Sequence, residues 1–310
     1  MSDVLYSTIR EIAEAAAEEL AAQGIPAEVN AFSRENGQQF VGISVGEGNV
    51  RPFIYVSNRD SVESAVRHAA DVMGKARNLA VLECACTRDY LQAKDDLSLY
   101  VLNYGRNKEF LEENYLVYRR FLDLAVGVKL RLGKLDEGAP GECTASTKVS
   151  SWLCDFWGVP EDDIFNAAFE NLRKDMTFGS TEELMKEVFK RESLKAFGFA
   201  PSDEELDSMF AVPEGVPRMY YMREKSGVDG AAFLADTTSL QKAQDRLGAE
   251  GIYILPSSRN EILIIPWSEE LSPFQLQEMV SEVNRTELAE SEFLSDSVYL
   301  FKNGQVRIIA

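Results

Sequence analysis

The sequence predicts an α+β protein: largely antiparallel sheets flanked by helices, with a helical acidic segment in the middle. Three observations carry that reading. Strand-like runs come in neighbouring pairs joined by tight turns, such as Asn36-Gly37 and Asn303-Gly304, and such hairpins are antiparallel. Amphipathic stretches with a three-to-four-residue period separate those pairs. Residues 175–216 differ from both, being polar, acidic and punctuated by helix caps.

Taken in order, residues 4–22 form an amphipathic helix on the stripe Leu5, Ile9, Ile12, Ala16 and Leu20, stopped by Gly24-Ile25-Pro26. Strands are expected at 27–33, 38–45 and 50–57. Asn36-Gly37 turns the first pair because both residues tolerate φ > 0. A helix over 60–76 closes an α-β-β-β-α unit spanning 1–78. Residues 94–113 read as a helix. From Leu122 to Leu132 apolar residues alternate with Asp123, Ala125, Gly127, Lys129 and Arg131, the pattern of a half-buried strand. A second strand at 142–149, a short helix after Ser150 and a helix over 161–174 complete a middle unit, 79–174.

Two cap patterns, Ser180-x-x-Glu183 and Ser202-x-x-Glu205, start helices in 175–216, which reads as a helical acidic insertion or linker. The C-terminal α+β unit, 217–310, is expected to hold strands at 218–224, 231–235, 251–255, 261–266, 297–302 and 305–309. Helices over 239–247 and 273–284 fall between them. Asp236 or Thr237 caps the first, and Ser272 with Pro273 opens the second.

The 310 residues are 45% hydrophobic and 27% charged, which places the chain among globular proteins of roughly two domains. Acidic residues number 51 against 32 basic, a net charge of −19 that excludes phosphate-driven nucleic-acid binding. The same deficit disfavours an anionic membrane surface, and no apolar run nears the ~20 residues that span a bilayer. The N-terminal stretch carries acid where an export signal is basic, so a cytoplasmic protein is expected.

The single histidine, His68, lies in an amphipathic helix and reads as a surface or boundary residue. Cys84, Cys86, Cys143 and Cys154 lack paired zinc-knuckle spacing and read as small hydrophobes. No metal or cofactor is expected.

Two places remain for chemistry. Asp123 interrupts the apolar stretch Phe121-Leu122-Asp123-Leu124-Ala125, where a carboxylate needs a partner. It is either a strand-edge charge satisfied by Arg119, Arg120 or backbone N–H groups, or a general base or ligand anchor. The turn Pro256-Ser257-Ser258-Arg259-Asn260-Glu261 converges hydroxyls, an amide, a guanidinium and a carboxylate. It is either an anion-binding site or a polar hairpin.

The segments Arg51-Pro52-Phe53-Ile54-Tyr55, Leu102-Asn103-Tyr104, Arg120-Phe121-Leu122-Asp123, Trp157-Gly158-Val159, Gly230-Ala231-Ala232 and Ile254-Leu255-Pro256-Ser257-Ser258 occur in this order along the chain. Val283-Asn284 with Thr286-Glu287, running into Leu294–Tyr299, completes the set. Together they resemble a domain-of-unknown-function family of gut-dwelling anaerobic Firmicutes, some of whose members lie on conjugative elements. The resemblance implies a cytoplasmic bacterial protein, with carriage on a mobile element, and assigns no catalytic residue. Similar proteins carry histidine before the glutamate of the Ser-Ser turn; this chain has Asn260, which argues against histidine-dependent chemistry there.

Two functions follow from different classes. The first is a non-catalytic binding or regulatory protein that engages a protein partner through a sheet edge or the acidic helices. The second is a hydrolase or small-ligand-binding enzyme. It would use Asp123, Ser258 and Glu261 in a cleft between the middle and C-terminal units, with Arg120, Ser257 and Asn260 holding the ligand.

Overall fold

The computed structural model describes residues 3–46, 51, 53–75, 88–134, 144–213, 215–256 and 258–310. The first half runs α1 (Asp3–Ala22), β1 (Ala27–Ser33), β2 (Gln39–Val45), β3 (Phe53–Tyr55), α2 (Val62–Lys75), α3 (Tyr90–Ala93), β4 (Leu97–Asn103), α4 (Tyr104–Glu113), β5 (Tyr118–Phe121), β6 (Leu124–Lys134), β7 (Thr144–Lys148) and α5 (Ser151–Trp157). The second runs α6 (Glu161–Lys174), β8 (Met176–Ser180), α7 (Thr181–Phe197), α8 (Asp203–Met209), β9 (Tyr220–Glu224), α9 (Thr237–Leu247), β10 (Ile252–Leu255), β11 (Glu261–Pro266), α10 (Pro273–Thr286), β12 (Tyr299–Lys302) and β13 (Gln305–Ile308). Every strand pair whose register is described is antiparallel, so the α+β class holds. Among the described residues no helix is long and apolar enough to cross a membrane.

The chain divides into two compact units. The first comprises 1–96, 106–116 and 130–159. Its sheet, in order β1-β2-β3, is covered on one face by α1 and α2. Ile9, Ala13, Ala16 and Leu20 of α1 meet Val41, Ile43, Val45 and Ile54 of the sheet and Ala65 and Ala69 of α2 in one buried cluster. The β1–β2 turn forms as expected, with Asn36 and Gly37 at φ of 59° and 70°. The buried Asn107 side chain of α4 holds that turn: its Oδ1 accepts from the Asn36 backbone N–H at 2.6 Å, and its amide donates to Asn36 Oδ1 at 2.8 Å.

The second unit comprises 97–105, 117–129 and 160–310. Its main sheet has the order β13-β12-β10-β11-β9-β8, and Tyr253, Leu255, Ile265, Leu276, Val280 and Leu300 form a core shared with α10. β4 and β5 flank β6 in a separate sheet, and α6 packs on β4. The Asn303-Gly304 turn closes β12–β13 with both residues at positive φ, as a type I′ hairpin requires.

Four expectations are corrected. The helix over 94–113 is a strand, β4, followed by the shorter helix α4. Leu97, Ser98, Leu99, Tyr100, Val101 and Leu102 are all buried, so both strand faces are apolar and no alternation marks them. The strand expected over Leu122–Leu132 forms as β6 but starts two residues later, after a turn from β5. Leu122 takes φ 56°, Phe121 pairs Leu124, and β6 begins only after Asp123. β6 is also buried on both faces from Leu124 to Val128 rather than half-buried. Residues 231–235 form a 3-10 turn, Gly230–Ala235, not a strand. The Gly230 and Ala231 N–H groups donate to Asn260 O and Arg259 O, and a Cβ on Gly230 would stand 2.4 Å from Asn260 O. Finally, residues 176–180, within the segment expected to be a helical acidic insertion or linker, form β8, an edge strand paired with β9.

Candidate functional site

Asp123 occupies the β5–β6 turn, which fixes its carboxylate against the segment entering β12. Ser295 Oγ donates to its Oδ2 and the Tyr299 hydroxyl to its Oδ1, each at 2.6 Å. Its partners are therefore hydroxyls rather than Arg119 or Arg120. Arg119 pairs with Asp162 and lies 4.1 Å from the Phe165 ring centroid, and Arg120 lies 4.5 Å from that of Tyr104. Burial, reinforced by the Asp123 charge, pushes the Tyr299 phenol far above its ordinary value, so it stays a proton donor.

The β10–β11 turn holds the other predicted residues. Ser258 Oγ accepts from the Asn260 N–H at 3.1 Å. The Asn260 side chain accepts from the Asp229 N–H at 3.4 Å and donates to Glu292 at 3.2 Å. Asp229, buried and at φ 56°, pairs with Lys129 and with Arg259 at 3.6 Å. Glu261 opens β11 opposite Arg223. Ser257 lies outside the described residues, as do Cys84, Cys86 and Cys143; Cys154 is buried in α5. Among the described residues no hydrogen bond or ion pair joins Asp123 to Ser258 or Glu261. Asp123 and Asn260 fasten their turns to neighbouring segments, and Ser258 closes its own turn.

A surface of different character lies on α7 and α8. Ser180 caps α7 by accepting from the Glu183 N–H, and Ser202 and Glu205 form a reciprocal capping box on α8. An edge contact between Phe189 and Phe210, with centroids 5.8 Å apart, and ion pairs from Lys186 to Asp207 and Lys190 to Asp203 hold the two helices. Of the 17 residues of α7 only Ser193 is buried. Met185, Val188, Phe189, Leu194 and Phe197 are exposed, and Phe199 follows just beyond. Between the helices runs a groove of about 650 Å³ lined chiefly by Phe189, Phe197, Phe199, Pro201 and Met209.

The model of a family of unknown function, DUF5688, matches residues 7–303, nearly the whole chain. The chain belongs to the DUF5688 family. No curated protein and no solved structure matches it.

In this DUF5688 chain the groove is the feature that sequence reasoning passed over. Residues 175–216 drew attention for their charge, yet Met185, Phe189, Ser193 and Phe197 recur every four residues along one helical stripe. That stripe was the available signal. A stripe of this kind normally faces a core; here Phe197 and Phe199 remain 72% and 64% exposed.

Proposed function

We propose that the chain is a non-catalytic binding or regulatory protein that engages a protein partner through the α7–α8 surface. The observation that carries this reading is the exposed apolar stripe of α7, continued by Phe199 and Met209. Contiguous exposed apolar surface marks interaction sites, because leaving it in water forfeits about 1.5–3 kcal/mol per large side chain that a partner can recover. The hydroxyl and amide groups of the β10–β11 turn and the Asp123 carboxylate support the same reading, being engaged within the fold. A cytoplasmic setting and carriage on a conjugative element belong to this proposal on the strength of the sequence alone.

The test is capture of partners by the tagged full chain from native lysate at low and moderate salt, with cross-linking through Lys186, Lys190 and Lys195. One stoichiometric partner cross-linked to these lysines is expected. Absence of any stoichiometric partner at both salts overturns the reading.

A further inference from the structure

The groove between α7 and α8 has a chemistry that selects its occupant. We infer that it receives an amphipathic helix of another protein, whose apolar stripe is flanked by lysine and arginine. This rests on the partner-binding reading above and names the partner's chemistry.

Shape sets the first requirement. Phe189, Phe197, Phe199, Pro201 and Met209 give an apolar floor of about 650 Å³. α7, with 17 residues, offers about 25 Å of length along which a second helix can lie. A helix presenting apolar side chains at three- and four-residue intervals matches such a floor.

Charge sets the second. Residues 181–210 carry eight acidic and four basic side chains, a net of −4. All four cations are neutralised inside the hairpin: Lys186 by Glu182 and Asp207, Lys190 by Asp203, and Arg191 and Lys195 by Glu192. Glu183, Glu187 and Glu204 make no ion pair among the described residues. Glu205 lines the groove, and the Ser202 N–H and hydroxyl hold its carboxylate below the ordinary value, so it is charged at neutral pH. The two-helix surface thus carries an apolar groove with Glu205 in its lining and surplus negative charge on Glu183, Glu187 and Glu204 outside that lining. A second copy of this chain, or an acidic helix, would set like charge against like; basic flanks complement it.

The probes are two labelled synthetic helical peptides with the same leucine stripe, one flanked by lysine and one by glutamate. Each is titrated with the full chain and followed by fluorescence anisotropy. The lysine peptide is expected to bind. Its affinity should fall at least about tenfold for the exposed-residue variant Phe197→Ser/Phe199→Ser, whose charge is unchanged. It should fall several-fold for Glu187→Lys/Glu204→Lys, and between about 0.1 M and 1 M salt, where the screening length shrinks from about 10 Å to 3 Å. Circular dichroism establishes that both variants fold.

Equal binding of the glutamate peptide overturns the inference, as does unchanged binding to Phe197→Ser/Phe199→Ser or no binding at all. Dimerisation of the wild type that the phenylalanine variant abolishes overturns it in favour of a second copy. Capture from lysate separates the two levels. A stoichiometric partner retained by the phenylalanine variant leaves partner binding standing and removes the groove. No partner for the wild type removes the underlying reading.

Discussion

The Tyr299 hydroxyl donates to the Asp123 carboxylate at 2.6 Å, joining residues 176 positions apart. A hydrogen bond to a charged acceptor is worth about 1.5–3 kcal/mol, so Tyr299→Phe should destabilise the fold by that order near neutral pH. The phenol titrates above its ordinary 10.0 in the folded chain because burial and then the Asp123 charge disfavour the phenolate. Its contribution is therefore complete below about pH 10 and is lost as pH rises towards the raised folded value. Tyr299→Phe has no such titration. Urea unfolding of both proteins should show a gap that narrows above about pH 10; a constant gap would contradict the assignment.

Arg173 grips Asp236 through Nε and Nη2, at 3.0 Å and 2.7 Å, and Asp236 also caps α9 through the Ser239 N–H. The Asp236 carboxylate is 2% exposed and the arginine about a third exposed. Arg173→Ala leaves a buried charge with only Ser239 to answer it, at a cost of about 1.5–3 kcal/mol after allowing for the exposed guanidinium. Arg173→Lys should recover part of this, since a point charge replaces the fork. Thermal melts of the two variants decide it: equal losses would mean charge contributes nothing.

Gly127 in β6 allows the buried Tyr100 ring to lie directly over its backbone. A Cβ there would stand 2.3 Å from the ring, far inside contact distance. Gly127→Ala should cost about 1–3 kcal/mol through overpacking, read as a lower urea midpoint at unchanged slope. A neutral substitution would mean that the ring has another place to go.

Ser202→Ala removes the capping box of α8. The Glu205 carboxylate is held below its ordinary 4.5 by the Ser202 N–H and hydroxyl, so its capping contribution is present above that value and lost as pH falls through the lowered one. Amide chemical shifts across 203–209 should move towards coil on acidification in the wild type and already be displaced at neutral pH in the variant. Identical titrations would show that the box does not hold the helix.

Much of the fold was legible because its signals are local. Asn36-Gly37 and Asn303-Gly304 turn where the sequence places them, and β1, α6 and β11 match their expected bounds. What misled was burial on both faces. β4 has no polar residue between Leu99 and Leu102 to set a period of two, so its run reads as easily as a helix. Asp123 looked like a strand residue because the positive φ at Leu122, unusual for a γ-branched side chain, carries no sequence mark. Its partners Ser295 and Tyr299 lie too far along the chain for spacing to reveal them. At the α7–α8 surface the acid was legible and the apolar stripe was too, but exposure is a property of the folded neighbourhood and cannot be read from a stripe.

Ser180 is both the last residue of β8 and the cap of α7, and the Thr181 N–H and hydroxyl that follow both donate to Met219 O. The strand therefore passes into the helix without a hinge. Load applied to α7 is delivered to the edge of the six-stranded sheet as though through a rigid axle, with the β8–β9 hydrogen bonds taking the shear.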